Sequence, residues 1–165
     1  MSKLIVINGT MGIGKSTVAK LVFARLTNAA LLDGDDVWRI NPFEVNDRTR
    51  AVVHNNIRFV LRSYVEAGYE YVILAWVMHR QEIIDTIVQP LGDLGLEVRV
   101  FTLFAEEGAA VQRALLRDGA ARNPEGVISR LRQSRELRTT QVDTTHRQPA
   151  EVADQILAAI GRDGA

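Results

Sequence analysis

The chain has 165 residues, 47% of them hydrophobic and 24% charged, and its formal net charge at pH 7 is zero. This length suits a single domain over residues 1–165, and the lack of cysteine excludes disulfides and thiolate metal sites. Zero net charge argues against a general nucleic-acid-binding protein, and no apolar run is long enough to cross a membrane. We therefore expect a cytoplasmic protein without a membrane partner.

The first predicted strand, Lys3–Ile7, leads into a glycine-rich loop and a helix over Lys15–Leu26. The loop fits the phosphate-binding pattern G-x-x-x-x-G-K-[ST], in which backbone N–H groups surround phosphate oxygens and the helix N-terminus attracts negative charge. Lys15 is expected to reach the β- and γ-phosphates during catalysis, and Ser16 to bind Mg²⁺. The residues predicted to hold the nucleotide here are Gly9, Met11, Gly12, Ile13, Gly14, Lys15, Ser16 and Thr17.

The second predicted strand, Ala30–Asp33, ends in an acidic turn, Asp33-Gly34-Asp35-Asp36. Carboxylates beside a phosphate site can bind Mg²⁺ through water or accept the proton of an attacking hydroxyl group. Asp33 and Asp35 are candidates for these two roles, and Asp36 is predicted to cap a helix. The alternative is an ordinary Asp-Gly turn with no catalytic function.

A long helix is predicted over Asp47–Ala67, with His54, Arg58 and Arg62 along one side. These side chains bind the phosphate acceptor if that side faces the cleft, and are solvated if it faces water; the solvated position is favoured for Arg62. The same two interpretations apply to three arginines in the segment leading into this helix: Arg39, Arg48 and Arg50.

The third predicted strand, Tyr71–Met78, has no aspartate at its end, which leaves Asp33 as the better candidate for Mg²⁺. Trp76, near this end, is either a wall of the acceptor pocket or a core aromatic residue. A helix over Gln81–Val88 and a strand over Leu96–Phe104 follow.

Two arginine-rich helices, Glu106–Asp118 and Glu125–Arg138, flank the turn Gly119–Pro124. They form either a lid over about residues 105–138 that shields the phosphates from water, or two solvated amphipathic helices. A strand over Thr140–Asp143 and a helix over Pro149–Ile160 complete the chain. This alternation predicts a three-layer, doubly wound α/β fold with a five-stranded parallel sheet and ligands at the carboxyl ends of its strands.

The chain resembles small P-loop kinases of the nucleoside-monophosphate, shikimate and gluconate kinase group. The resemblance rests on Gly9–Thr17, Leu31–Trp38, the arginine-rich lid and Val142–Thr144; Leu32–Trp38 and Trp76–Met78 look most like tunicamycin-resistance and chloramphenicol-phosphotransferase proteins. It implies strand order 2-3-1-4-5. It also implies that Asp33 serves Mg²⁺ and that Asp35 acts as the base for the acceptor hydroxyl. In addition, it implies that lid arginines approach the phosphates and that the loop after the last strand lies against adenine. The residues implied by the lid and the last loop are Arg113, Arg117, Arg122, Asp143 and Thr144, with Arg117 and Arg122 acting in catalysis.

The sequence thus predicts ATP- and Mg²⁺-dependent transfer of the γ-phosphoryl group to a small molecule: an antibiotic, a nucleoside or nucleotide, or a sugar. The residues predicted to bind this acceptor are Asp33, Asp35, Arg39, His54, Arg58 and Trp76. A regulatory nucleotide-binding ATPase and a nucleic-acid end kinase are the alternatives, and the protein is expected to be a monomer or a homodimer. A GTPase is disfavoured, because the lysines at 3, 15 and 20 leave no Asn-Lys-x-Asp motif.

Overall fold

The structure is a computed structural model that describes residues 1–118 and 123–161. Its five strands are β1 (Lys3–Gly9), β2 (Ala29–Asp33), β3 (Tyr71–Trp76), β4 (Glu97–Phe104) and β5 (Thr140–Asp143). Its helices are α1 (Lys15–Phe23), α2 (Asp47–Glu66), α3 (Gln81–Val88), α4 (Glu107–Asp118), α5 (Pro124–Arg135) and α6 (Pro149–Ala159), with short 3-10 helices at Gly34–Val37 and Gln89–Leu94.

All five strands are parallel and lie in the order β2-β3-β1-β4-β5, as predicted. The sheet divides the core in two because successive strand residues point to opposite faces. Leu4 and Val6 of β1 pack with α2 and α3, whereas Ile5 and Ile7 pack with α1, α4, α5 and α6. The result is the predicted three-layer α/β fold.

Most predicted boundaries lie within a few residues of the observed ones, and the largest differences have local causes. The strand predicted over Tyr71–Met78 ends at Trp76, because the Met78 N–H donates to the Asn8 side chain, at 2.7 Å, and leaves the ladder. The helix predicted to end at Leu26 ends at Phe23, where the chain turns toward Asn28, which has a positive φ of 52°.

Three helix ends carry recognisable capping residues. Gly68 has a φ of 87° just beyond α2, and Pro149 begins α6. Asn46 opens α2 by accepting a hydrogen bond from the Thr49 N–H. Within the described residues, no helix combines the length and apolar character that a membrane crossing requires.

Candidate active site

The strand register brings the glycine loop and the acidic turn together at one edge of the sheet. Ala75 of β3 pairs with Ile7 of β1 on one side and with Asp33 of β2 on the other. The segments that follow β1 and β2 therefore leave the sheet at the same edge, one on each side of β3. This edge is where doubly wound folds bind their ligands.

The glycine loop depends on left-handed backbone at Gly12 and Gly14, with φ values of 80° and 104°. A Cβ on Gly12 would lie 3.0 Å from the Ala114 Cα, so the glycine also lets α4 pack against the loop. Gly9 has a related role, because a Cβ there would lie 2.7 Å from the Leu103 carbonyl oxygen. Gly9 does not line any of the cavities described below.

Lys15 lies in the loop with its ammonium group donating to the Thr10 carbonyl oxygen at 2.9 Å. Burial lowers its pKa to about 8; Asp35 opposes this shift, Arg117 adds to it and Asp33 opposes it. A strong negative charge in front of the loop would favour the charged form of this lysine.

The Asp33 side chain connects the acidic turn to the glycine loop. One of its carboxylate oxygens accepts a hydrogen bond from the Ser16 hydroxyl at 2.7 Å, and the other accepts from the Asp35 N–H at 3.2 Å. Asp33 is thus the cap of the 3-10 helix Gly34–Val37, and the prediction that Asp36 caps a helix is wrong. Asp36 instead accepts a hydrogen bond from Arg39 at 2.7 Å.

Ser16 and Asp33 offer a hydroxyl and a carboxylate, the hard oxygen ligands that Mg²⁺ prefers. No cluster of three or more histidine, cysteine, aspartate or glutamate side chains suited to a metal occurs in the described part of the chain. This donor set fits an ion that keeps waters and shares its shell with phosphate oxygens, rather than one held in a cage of protein ligands.

Trp76 contacts the acidic turn through a hydrogen bond to Asp35 and through packing against Gly34. Its indole N–H donates to an Asp35 carboxylate oxygen at 3.2 Å. A Cβ on Gly34 would lie 2.4 Å from two carbons of the indole ring, so only glycine lets the turn rest on this ring. The sequence prediction left open a core role and a wall role for Trp76; the side chain is 4% exposed and also faces the cleft.

A narrow cleft of about 180 Å³ lies between the loop and the acidic turn. We call it the transfer cleft, and it is lined by Met11, Lys15, Ser16, Asp33, Asp35, Asp36, Trp76, Val77 and Arg117. Arg117 also lines a small cavity over the glycine loop, together with Lys15, Ser16 and Thr17. Arg122, the other predicted catalytic arginine, lies outside the described residues.

A second cavity, of about 310 Å³, lies at the other end of the loop and is lined by Gly12, Ile13, Gly14, Arg113 and Thr144, among others. Arg113 donates to the Thr144 hydroxyl at 2.9 Å and to the Thr144 and Thr145 carbonyl oxygens at 2.7 and 2.9 Å. Arg113 therefore fixes the loop after β5. Asp143 does not line this cavity, because its carboxylate accepts from the Thr145 hydroxyl and N–H, hydrogen bonds that lower its pKa.

A larger cavity, of about 820 Å³, opens beside the transfer cleft, and we call it the acceptor cavity. Of the residues predicted to bind the acceptor, Asp35, His54 and Trp76 line it. Arg58 does not, because its guanidinium donates to the Thr86 carbonyl oxygen at 3.0 Å and to Asn55. Nor does Arg39, which is exposed and paired with Asp36. This placement does not support a role for either arginine in binding the acceptor.

Several lining residues of the acceptor cavity were not predicted as site residues: Trp38, Phe43, Val45, Arg50, Val77, His79, Arg80, Glu82, Ile83, Thr86 and Arg130. For His79 the sequence does offer a signal, because its position just after the end of β3 is where this fold places its sites. Burial and then neighbouring arginines lower the pKa of His54 and of His79. At neutral pH the two rings are therefore uncharged.

Comparison with known proteins agrees with this geometry. Residues 4–138 match the profile of a family described as an AAA domain. The tunicamycin resistance protein of Deinococcus radiodurans is similar at 26% identity and a TM-score of 0.76, covering 98% of this chain and 96% of that one. A gluconokinase from Sinorhizobium meliloti 1021 is similar at 20% identity and a TM-score of 0.72, covering 97% and 92%. No curated protein sequence matches the chain.

We predict that Gly34→Ala displaces the acidic turn, because the added methyl group overlaps the Trp76 ring. The expected loss is about 1–3 kcal/mol in the free energy of unfolding, measured by denaturant titration. Gly108→Ala is the matched control: nothing lies within 4 Å of its added Cβ, and alanine should stabilise this helical position by about 0.5–1 kcal/mol. Equal stability of the two variants would contradict the packing of Gly34 on Trp76.

Proposed function

Because the chain belongs to the family described as an AAA domain and has the fold of small P-loop kinases, we propose that it transfers the γ-phosphoryl group of ATP to a small-molecule acceptor. The observation that carries this proposal is the position of Asp35. Its side chain lines both the transfer cleft, which it shares with Lys15, and the acceptor cavity. A hydroxyl group in that cavity can therefore meet a base and a phosphoryl group together.

The glycine loop binds the phosphates of ATP through backbone N–H groups, and Lys15 and Arg117 offset the negative charge in the transfer cleft. Ser16 and Asp33 would hold Mg²⁺, which, when bound, neutralises charge on the phosphate oxygens. The cavity near Thr144 takes the adenine base.

Asp35 acts as the base in this proposal. It accepts the proton of the acceptor hydroxyl as the new oxygen–phosphorus bond forms and the bond from the γ-phosphorus to the bridging oxygen of ADP breaks. The hydrogen bond from Trp76 fixes one carboxylate oxygen, and the other remains to take the proton. Balanced products are the phosphorylated acceptor, ADP and a proton released later from Asp35.

An acceptor screen coupled to ADP release tests the proposal as a whole. Nucleosides, nucleotides, sugar acids and antibiotics should be included, and tunicamycin belongs among them because of the similarity to the Deinococcus radiodurans protein. Stimulation of ADP release by one class, with a phosphorylated product, supports a kinase. Slow turnover that no acceptor stimulates would instead support a regulatory ATPase.

We expect Asp35→Asn to lower kcat by about 10²–10⁴, because the acceptor hydroxyl loses its base, with little change in ATP affinity. Asp33→Asn should instead raise the Mg²⁺ concentration required and recover part of its activity at high Mg²⁺. Nucleotide affinity and Mg²⁺ dependence are measured side by side for the two variants. Normal turnover by Asp35→Asn would remove the base assignment and make Asp33 the next candidate.

We expect Trp76→Phe to lower kcat about tenfold while the KM for the acceptor changes little. Phenylalanine keeps an aromatic wall but has no N–H to orient Asp35. Steady-state kinetics with the acceptor found in the screen provides the measurement, and thermal unfolding checks that the variant is folded. An unchanged kcat would show that Asp35 needs no donor from this ring.

The affinity for a nonhydrolysable ATP analogue should fall as pH rises above about 8, by up to about tenfold per pH unit. Bound phosphates favour charged Lys15, and the free protein loses that proton as pH passes the lowered pKa. Below pH 8 the lysine is already charged, so this contribution levels off. In Lys15→Ala, the affinity should no longer depend on pH in this range, and kcat should fall by at least about 10². Lys20→Ala, at an exposed residue of α1, is the control and should keep the pH dependence and the normal kcat.

A further inference from the structure

The acceptor cavity is large enough to enclose more than the hydroxyl group that receives the phosphoryl group. Its volume of about 820 Å³ lies in the range of cavities that enclose a whole small organic molecule. It shares Met11, Asp35, Trp76 and Val77 with the transfer cleft, so a molecule inside it has one end at Asp35. The rest of the cavity wall must then recognise the body of that molecule.

One part of this wall is aromatic. Trp38 lies edge to face against Phe43, with ring centroids 5.3 Å apart, and against Trp76 at 6.0 Å. The His54 ring meets Trp76 at 5.7 Å, and its lowered pKa leaves it uncharged. Phe43 is 61% exposed, although exposing a large aromatic ring to water is unfavourable. A flat, partly apolar molecule would cover these rings.

Another part of the wall is cationic. Arg50, Arg80 and Arg130 reach the cavity from α2, from the residue before α3 and from α5. Arg80 and Arg130 form no ion pair with any described residue, and Arg50 faces only the exposed Asp47, at 3.3 Å. Among the described residues that line the cavity, Glu82 is the one acidic side chain besides Asp35. Three guanidinium groups from three elements are well suited to an anion with several oxygens.

We propose that the acceptor is an organic anion with a planar ring, whose phosphate or carboxylate group is bound by Arg50, Arg80 and Arg130 and whose ring lies against Trp38, Phe43 and Trp76. The assignment rests on the proposed function, because it takes the same cavity as the acceptor site. It excludes polycationic aminosugars, which the arginines repel. It also excludes acceptors without a ring, which would leave the aromatic wall uncovered.

The chain carries its own probe for this site. Both of its tryptophans, Trp38 and Trp76, line the acceptor cavity, so their fluorescence reports binding there without any turnover. The nonhydrolysable analogue AMPPNP first fills the nucleotide site. Uridine is then compared with uridine 5′-monophosphate, and tyrosol with 4-hydroxyphenylacetate, so that each neutral compound has a phosphate or a carboxylate partner.

We expect at least one of the two anions to bind about tenfold or more tightly than its neutral partner. The pair that shows the difference tells phosphate from carboxylate. Arg80→Gln and Arg130→Gln should each remove most of the difference. Arg99→Gln, at an exposed residue of β4 paired with Glu97, is the matched control and should retain it. Circular dichroism verifies that each variant is folded.

The proposal is overturned if no anion binds more tightly than its neutral partner, or if both arginine variants bind like the Arg99→Gln control. These results are separable from a failure of the kinase proposal. Anion binding that depends on Arg80 and Arg130, without phosphoryl transfer to any acceptor, would refute the kinase and keep the anion site. Phosphoryl transfer to a neutral acceptor, at an undiminished rate in both arginine variants, would refute the anion site and support the kinase.

Discussion

The site depends above all on the contact between the Trp76 indole and the acidic turn. The ring occupies the space that a side chain on Gly34 would need, and its N–H binds Asp35. With the turn fixed in this way, Asp33 reaches Ser16 of the glycine loop. One buried ring at the end of β3 thus sets the positions of the candidate base, the candidate Mg²⁺ ligand and one wall of the acceptor cavity.

The Asn8 side chain fixes the chain just after this ring. Its amide donates to the Met78 carbonyl oxygen at 2.8 Å and to the Thr102 hydroxyl at 3.2 Å, and its oxygen accepts from the Met78 N–H at 2.7 Å. Asn8 is fully buried, where an unpaired amide would be costly, so these hydrogen bonds hold the ends of β1, β3 and β4 together. They also direct the chain after Trp76 along the acceptor cavity, which brings His79 to its wall.

The fold could be predicted closely from the sequence because its signals are local. Apolar strands, helix caps such as Pro149 and the glycine loop each act over a few neighbouring residues. The side of the site built on these segments, around Lys15, Ser16 and Asp33, could be predicted for the same reason. Much of the acceptor cavity could not, since Trp38, Arg80 and Arg130 lie far apart in the sequence and come together only through packing. Helical spacing alone likewise could not show that Arg58 binds the Thr86 carbonyl oxygen rather than facing the cavity.

Positive side chains lie at both ends of the site, as the proposed transfer between two negatively charged molecules would require. Lys15 and Arg117 lie at the glycine loop, whereas Arg50, Arg80 and Arg130 lie at the acceptor cavity. Asp33 and Asp35 stand between these groups, and without them the five cations would face one another across a partly buried cleft.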